Sequence, residues 1–385
     1  YAFQSCKSLT SIDVPKGVTK IGTKAFYGCT SMKTASIPEG VTEIKISTFE
    51  GDTSLAKVVL PSTLTAIGEK AFYNCTALND IVIPDAVTDI GINSFTNTAI
   101  TSVKIPAGVT NIYENTFSGC NSLETLEFAE GSKLKEIAKR AFYNCTNLSE
   151  VYLPENLVTI GEEAFSGCSS LSDLELSDSL ANIGQKAFYK CISLPSVFVP
   201  SSVTAIPTST FEGCELLRTV TLEGGDLTDI GEKAFYGCKK LYSIKVPSGV
   251  KTIGISAFEG CDELNSVTMA NNGVTTIGNN AFKSCKALTK VTFPSNLSSI
   301  GDSAFYDCTA LSNMKLPADV KSIGQSAFTN TAITSVTIPA AVTSIKANTF
   351  NGCAKLTTLE FAAGSKLTSI GERAFYNCAV LTKPS

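Results

Sequence analysis

The sequence predicts a β-rich α/β repeat solenoid, one continuous coil over residues 1–385 built from about 17 units. Three observations predict it. Seventeen of the 21 phenylalanines, from Phe3 through Phe375, recur at intervals of mostly 23 residues, with a range of 22 to 25. Every one of the 14 cysteines, from Cys6 to Cys378, falls three positions after one of these phenylalanines. Between them runs a fixed pattern of apolar positions, and self-similarity at such a period marks a stacked-repeat architecture.

One well-formed unit runs from Cys285 to Cys308 and carries Leu288, Val291, Phe293, Pro294, Leu297, Ile300, Gly301, Ala304 and Phe305, with mostly polar residues between. The stretch around Val291 and Phe293 alternates as a strand does, and Pro294 closes it because proline cannot donate to a ladder. Leu297 and Ile300 point inward again as a short second strand, before Gly301 turns the chain. The residue before the cysteine is usually Gly or Asn, as at Gly28, Asn74 and Gly119, which predicts left-handed backbone there. The Ala-Phe-x-x-Cys stretch is too brief for an independent helix and reads as a single helical or 3-10 turn. Roughly eight of every 23 residues are apolar and inward, too few for one unit to bury its own face, so each unit depends on its neighbours.

The repeated pattern CxxLxxVx[IL]Pxx[VL]xxIGxxAFx[GN]C resembles the BspA-like class of leucine-rich repeats, and the likeness covers essentially the whole chain. That class is found in surface proteins of mucosal bacteria and of some mucosal protozoa. The resemblance implies a right-handed leucine-rich-repeat coil with a parallel sheet. It also implies adhesion to host matrix proteins or to other cells, without naming a ligand.

A longer period overlies the short one. The segment beginning at Phe95 with Thr96, Asn97, Thr98, Ala99 and Ile100 recurs at Phe328 with Thr329, Asn330, Thr331, Ala332 and Ile333, an offset of 328 − 95 = 233 residues. Residues 72–148 thus echo residues 305–381, as if a block of ten repeats had been duplicated. Both 22-residue intervals, which start at Phe95 and Phe328, and both 25-residue intervals, which start at Phe117 and Phe350, belong to this block. In the long units the proline after the strand gives way to a wider turn, Ala129 to Lys133 and Ala362 to Lys366, and related bulges occur at Glu223 to Asp226 and Ala270 to Gly273. All four are expected on one rim, either as contact loops or as insertions that a surface tolerates.

Fourteen cysteines could pair, but in-register coils hold their Cβ vectors parallel and farther apart than a disulfide allows. A buried column of free thiols acting as small apolar filler follows, broken only at Asp52, Thr98 and Thr331. Zinc-site spacings are missing, and no metal or cofactor is expected.

Composition narrows the function. The chain has 31 Lys+Arg against 35 Asp+Glu, a formal net charge of −4, so nothing draws it to nucleic acid or to an anionic membrane. No apolar run approaches the ~18 residues of a membrane-spanning helix, and a soluble chain is predicted. It opens at Tyr1 inside a repeat, as a piece of a longer protein would. There is no His and no Trp. Without His the usual triads and imidazole bases are lacking, and the acidic residues follow the repeat without forming a pocket; the expectation is not an enzyme.

The outward strand positions then remain to carry function. Mostly Ser and Thr, they also include Tyr152, Phe198, Glu175 and Lys245, with Tyr242 and Arg218 on neighbouring rows. Tyr152 and Phe198 lie two coils, about 10 Å, apart. Exposed aromatics among charges resemble interface anchors, although scattered apolar surface residues are also ordinary. The tyrosines that follow many repeat phenylalanines, such as Tyr27, Tyr143 and Tyr236, are expected to stack from coil to coil. The Asn74-Cys75-Thr76 type of sequence matches a glycosylation acceptor, but the repeat generates it by construction. The whole predicts a monomeric, secreted or cell-surface protein that presents its sheet to a macromolecule, a matrix or cell-surface protein; a carbohydrate-binding module is the alternative.

Overall fold

The computed structural model describes residues 1–382. Contacts divide it into two compact units, Tyr1–Ser193 and Leu194–Ser385. Each is a parallel β-solenoid of stacked coils. In the first unit, strands Ser11–Asp13, Thr34–Ser36, Lys57–Val59 and Asp80–Ile81 form one parallel sheet, and Ser102–Ile105, Thr125–Phe128, Glu150–Tyr152 and Asp173–Glu175 form another. In the second unit, five strands from Ser196–Val199 to Lys290–Thr292 pair in order, followed by the pair Ser335–Ile338 and Thr358–Phe361. Two-residue strands such as Glu136–Ile137 and Thr159–Ile160 build the shorter parallel sheets, one strand from each coil. Register follows the repeat, so Tyr152 lies beside Glu175 and Phe198 beside Thr221.

The core of each unit is columnar. Phe3 through Phe188 in the first unit, and Phe211 through Phe375 in the second, stack ring on ring with nearly parallel planes; Phe142 and Phe165 lie 5.2 Å apart at 6°. Offset stacking at this spacing suits the ring quadrupole. Phe49 through Phe350 are buried, and each such ring contributes about 1.5–3 kcal/mol by leaving water.

The predicted helical turns are corrected: among the described residues there is no helix, so the architecture is a parallel β-solenoid without the α component. The reason lies in where the amides go. In the coil of Phe26, the amides of Lys24, Phe26 and Gly28 donate to the carbonyls of Ile46, Thr48 and Glu50 in the next coil. The alternate amides of Ala25, Tyr27 and Cys29 close three-residue turns onto Gly22, Lys24 and Phe26. Half of the donors are thus given to the neighbouring coil, and an α-helix would need them all. Positive φ angles enforce the pattern. The position before the cysteine is left-handed as predicted, at Gly28 (φ 70°), Asn74 (59°) and Gly119 (71°). A second left-handed position lies two residues before the phenylalanine, at Lys24, Arg140, Glu163 and their equivalents, where residue identity gives no hint of it.

The glycine after the second strand has a different cause from the one the sequence suggests. Gly184 shows no positive φ; a Cβ there would lie 2.3 Å from the Glu162 backbone nitrogen of the preceding coil. Coil contact requires the hydrogen, not the turn.

All 14 cysteines are free thiols; Cys6 is exposed, Cys378 half-buried and the other twelve buried. They do more than fill space. Cys29 Sγ donates to the Phe3 carbonyl at 3.0 Å, Cys75 to Phe49 at 3.0 Å and Cys285 to Phe258 at 3.1 Å, each joining one coil to the one before. Burial pushes the Cys120 thiol up to about 11 and Cys168 up to about 12, so both stay protonated and able to donate. Thr98 and Thr331 instead turn their hydroxyls onto their own coil, to Phe95 and Phe328 at 2.9 Å. Asp52 is fully buried: one carboxyl oxygen accepts from the Cys29 amide at 2.6 Å, the other has no partner, and burial raises its pKa to about 8.

Candidate functional site

The six residues singled out on the sheet fall in two groups. In the first unit, Tyr152 ends strand Glu150–Tyr152 and is half exposed because outward positions alternate with the buried Val151. Its hydroxyl donates to the Asp173 carboxylate at 2.7 Å, and this bond pushes the phenol up to about 12. Glu175 is its cross-strand neighbour.

In the second unit, Phe198 is exposed on Ser196–Val199, and Lys245 is exposed on Ser243–Val246, the next strand but one. Tyr242 and Arg218 meet: the guanidinium lies 5.5 Å from the ring centroid and 3.9 Å from Glu263, which also pairs with Lys240. A cation on a ring face at an exposed site is worth about 0.5–1 kcal/mol.

Tyr152 borders a groove of about 610 Å³. Its other walls are Glu127 and Phe128 of the preceding strand, the wide turn at Ala129 and Gly131, and Glu155. The extra residues of the 25-residue unit create it, since the turn stands out over the next coil. Asn156 braces that turn, donating from Nδ2 to the Ser132 carbonyl at 3.3 Å. Glu155 also lines a second hollow of about 490 Å³ with Glu175 and Asp178. Among the described residues no ion pair engages Glu127, Glu155 or Glu175, and Lys104 is the in-register neighbour of Glu127, so the carboxylates of Glu155 and Glu175 give the groove and the hollow beside it their negative character. Glu155 and Asp178 escape sequence reasoning because they belong to turns after the strand; the lengthened unit was the available signal.

The shortened units make a second kind of opening. Thr98-Ala99-Ile100 has one residue fewer than Cys75-Thr76-Ala77-Leu78, and strand Asp80–Ile81 does not pair with Ser102–Ile105. The split leaves a cleft of about 310 Å³ lined by Ile81, Val82, Ile83, Val103 and the buried ring of Phe95. In the second unit a cleft of about 620 Å³ is lined by Met314, Lys315, Leu316 and Val336, each 233 residues beyond its counterpart, as 314 − 81 and 336 − 103 show.

The rim tyrosines correct another expectation. Among the described residues they do not stack on one another; Tyr27, Tyr143, Tyr189, Tyr236 and Tyr376 are each covered by a cation three residues earlier, as in Lys24 on Tyr27 (5.2 Å) and Arg140 on Tyr143 (5.5 Å). The left-handed position explains this, because it turns the long side chain back over the ring. The described residues contain no group of three or more metal-ligating side chains and no helix long and apolar enough to cross a membrane.

Comparison with known proteins agrees with this geometry. Residues 1–124, 135–265, 228–357 and 275–384 match the BspA type leucine rich repeat region. A leucine-rich repeat protein of Bacteroides ovatus superposes with a TM-score of 0.67 at 26% identity, over 97% of this chain and 86% of that one. A leucine rich cell surface protein of Faecalibacterium prausnitzii aligns over 97% of this chain and 87% of its own at 25% identity, with a TM-score of 0.41. No curated protein matches.

Proposed function

Because this chain belongs to the BspA-type leucine-rich repeat family, we propose that it is a secreted or cell-surface adhesion module that docks a protein partner, a matrix or cell-surface component, on its sheet faces. The observation that carries this reading is the first unit's groove. There a half-exposed aromatic ring, a braced wide turn and carboxylates without an ion pair meet beside two central strands of the sheet. Rings supply contact area at low entropic cost, and charge selects among partners. The carboxylates favour a basic segment of the partner. In the second unit, Phe198 and the Arg218–Tyr242 pair supply anchors of the same kind. The module works as a monomer and without a cofactor.

Matrix proteins and a glycan array, screened side by side with the whole chain, test the proposal. A protein ligand is expected, with Tyr152→Ser weakening its binding roughly tenfold, the worth of an exposed anchor of about 1–2 kcal/mol. Phe198→Ser and Tyr242→Ser report on the second unit in the same assay. Unchanged affinity in all three variants would discard these surfaces, and binding confined to glycans would replace the protein partner with a carbohydrate.

A further inference from the structure

The sequence contains two Asn-Gly pairs, Asn272-Gly273 and Asn351-Gly352, and the fold treats them differently. We propose that Asn272 is a site of spontaneous covalent modification, converting to aspartate and isoaspartate through a cyclic imide, while Asn351 is protected. Asn272 sits at the tip of the bulge Ala270 to Gly273, is exposed, and holds a left-handed φ of 58°. Among the described residues its side-chain amide makes no hydrogen bond, whereas Asn351 Nδ2 is tied to Asn348 Oδ1 at 3.1 Å.

The attacking nitrogens also differ. The Gly352 amide donates to the Tyr376 carbonyl of the next coil at 2.8 Å, as part of the ladder that holds the coils together. The Gly273 amide makes only a longer bond, 3.2 Å, to Ala270 within its own turn. Lys251 acts on the first pair alone. Its ammonium donates to the Asn272 carbonyl at 3.0 Å and to Ser248 at 3.2 Å, drawing electron density from the peptide group that contains the Gly273 N–H. A charge-assisted bond of this kind makes the N–H easier to remove. Glycine leaves the nitrogen without a flanking side chain.

Gly273 is buried, so the reaction begins when its bond to the Ala270 carbonyl opens; water then takes the Gly273 amide proton and the nitrogen bonds to Asn272 Cγ. The Cγ–Nδ2 bond breaks and ammonia leaves with a proton from water. A further water molecule adds to either imide carbonyl and opens the ring, leaving a new carboxylate in reach of Lys251. The isoaspartyl product also lengthens the main chain inside a turn that Asn296 clamps through the Gly273 carbonyl at 3.2 Å, so the bulge loosens.

The intact protein, incubated at neutral pH and digested for mass spectrometry, tests this directly. The amide-to-acid mass change is expected in the peptide holding Asn272 well ahead of the one holding Asn351. The exposed substitution Lys251→Met should slow Asn272 several-fold, and heat-unfolded protein should lose the difference between the two sites. Equal rates at both asparagines in the folded protein, or a Lys251→Met variant that converts at the original rate, would overturn the assignment.

Discussion

At the residue scale, most coils turn a phenylalanine carbonyl toward the coil that follows, and the chain supplies a thiol to meet it except where Asp52, Thr98 or Thr331 stands in the column. Cysteine suits the position because its S–H donates while its bulk is that of a small apolar group. Titration with a thiol reagent should therefore find Cys6 reactive in the native protein, Cys378 slower, and all fourteen only after denaturation; a low denatured count would mean that some are bridged. Asp52 breaks the rule with a buried carboxyl whose pKa rises to about 8 from 3.8. The folded state then holds a proton that the unfolded state has released. Its stability is greatest below the unfolded pKa, falls as pH climbs from about 4 to about 8, and levels off above. The slope for one such group is about 1.4 kcal/mol per pH unit. Asp52→Asn should remove that slope, which urea unfolding at pH values inside and outside the window will show.

Elements here are turns and very short strands, and their stability comes from stacking. Phe142→Ala removes a ring from the middle of the first unit's column and should cost about 3–5 kcal/mol, whereas Phe3→Ala, at an exposed ring, should cost much less. Comparing their denaturation midpoints checks this. Gly184→Ala tests the coil contact: with a Cβ at 2.3 Å from backbone, about 1–3 kcal/mol of overpacking is expected, and a variant as stable as the parent would contradict it. The strands were legible in the alternation around Val291 and in the closing prolines. The turns were not, because Lys24, Arg140 and Glu163 share a left-handed backbone without sharing a chemistry. Their conformation is imposed by amides that bond to the next coil, and no local propensity announces a bond to a residue 22 positions away.

At the scale of the whole molecule, each unit contains a cleft at its 22-residue coil, and the first unit a groove at its 25-residue coil. A lengthened coil throws out a turn over its neighbour, as beside Tyr152, and a shortened one parts the sheet, as beside Phe95. The irregular intervals were visible in the sequence. That they produce openings follows from packing between consecutive coils. By itself the sequence determined the repeat, the inward columns of phenylalanine and cysteine, the parallel strands and the family, because a periodic chain that cannot bury its apolar face within one unit must stack. The tertiary structure alone decided where half of the turn amides donate, which carbonyl each thiol meets, and why Gly184 must be glycine. It also decided which carboxylates stand beside Tyr152. Those features depend on distances between residues of different coils, and such distances exist only once the coils are laid against one another.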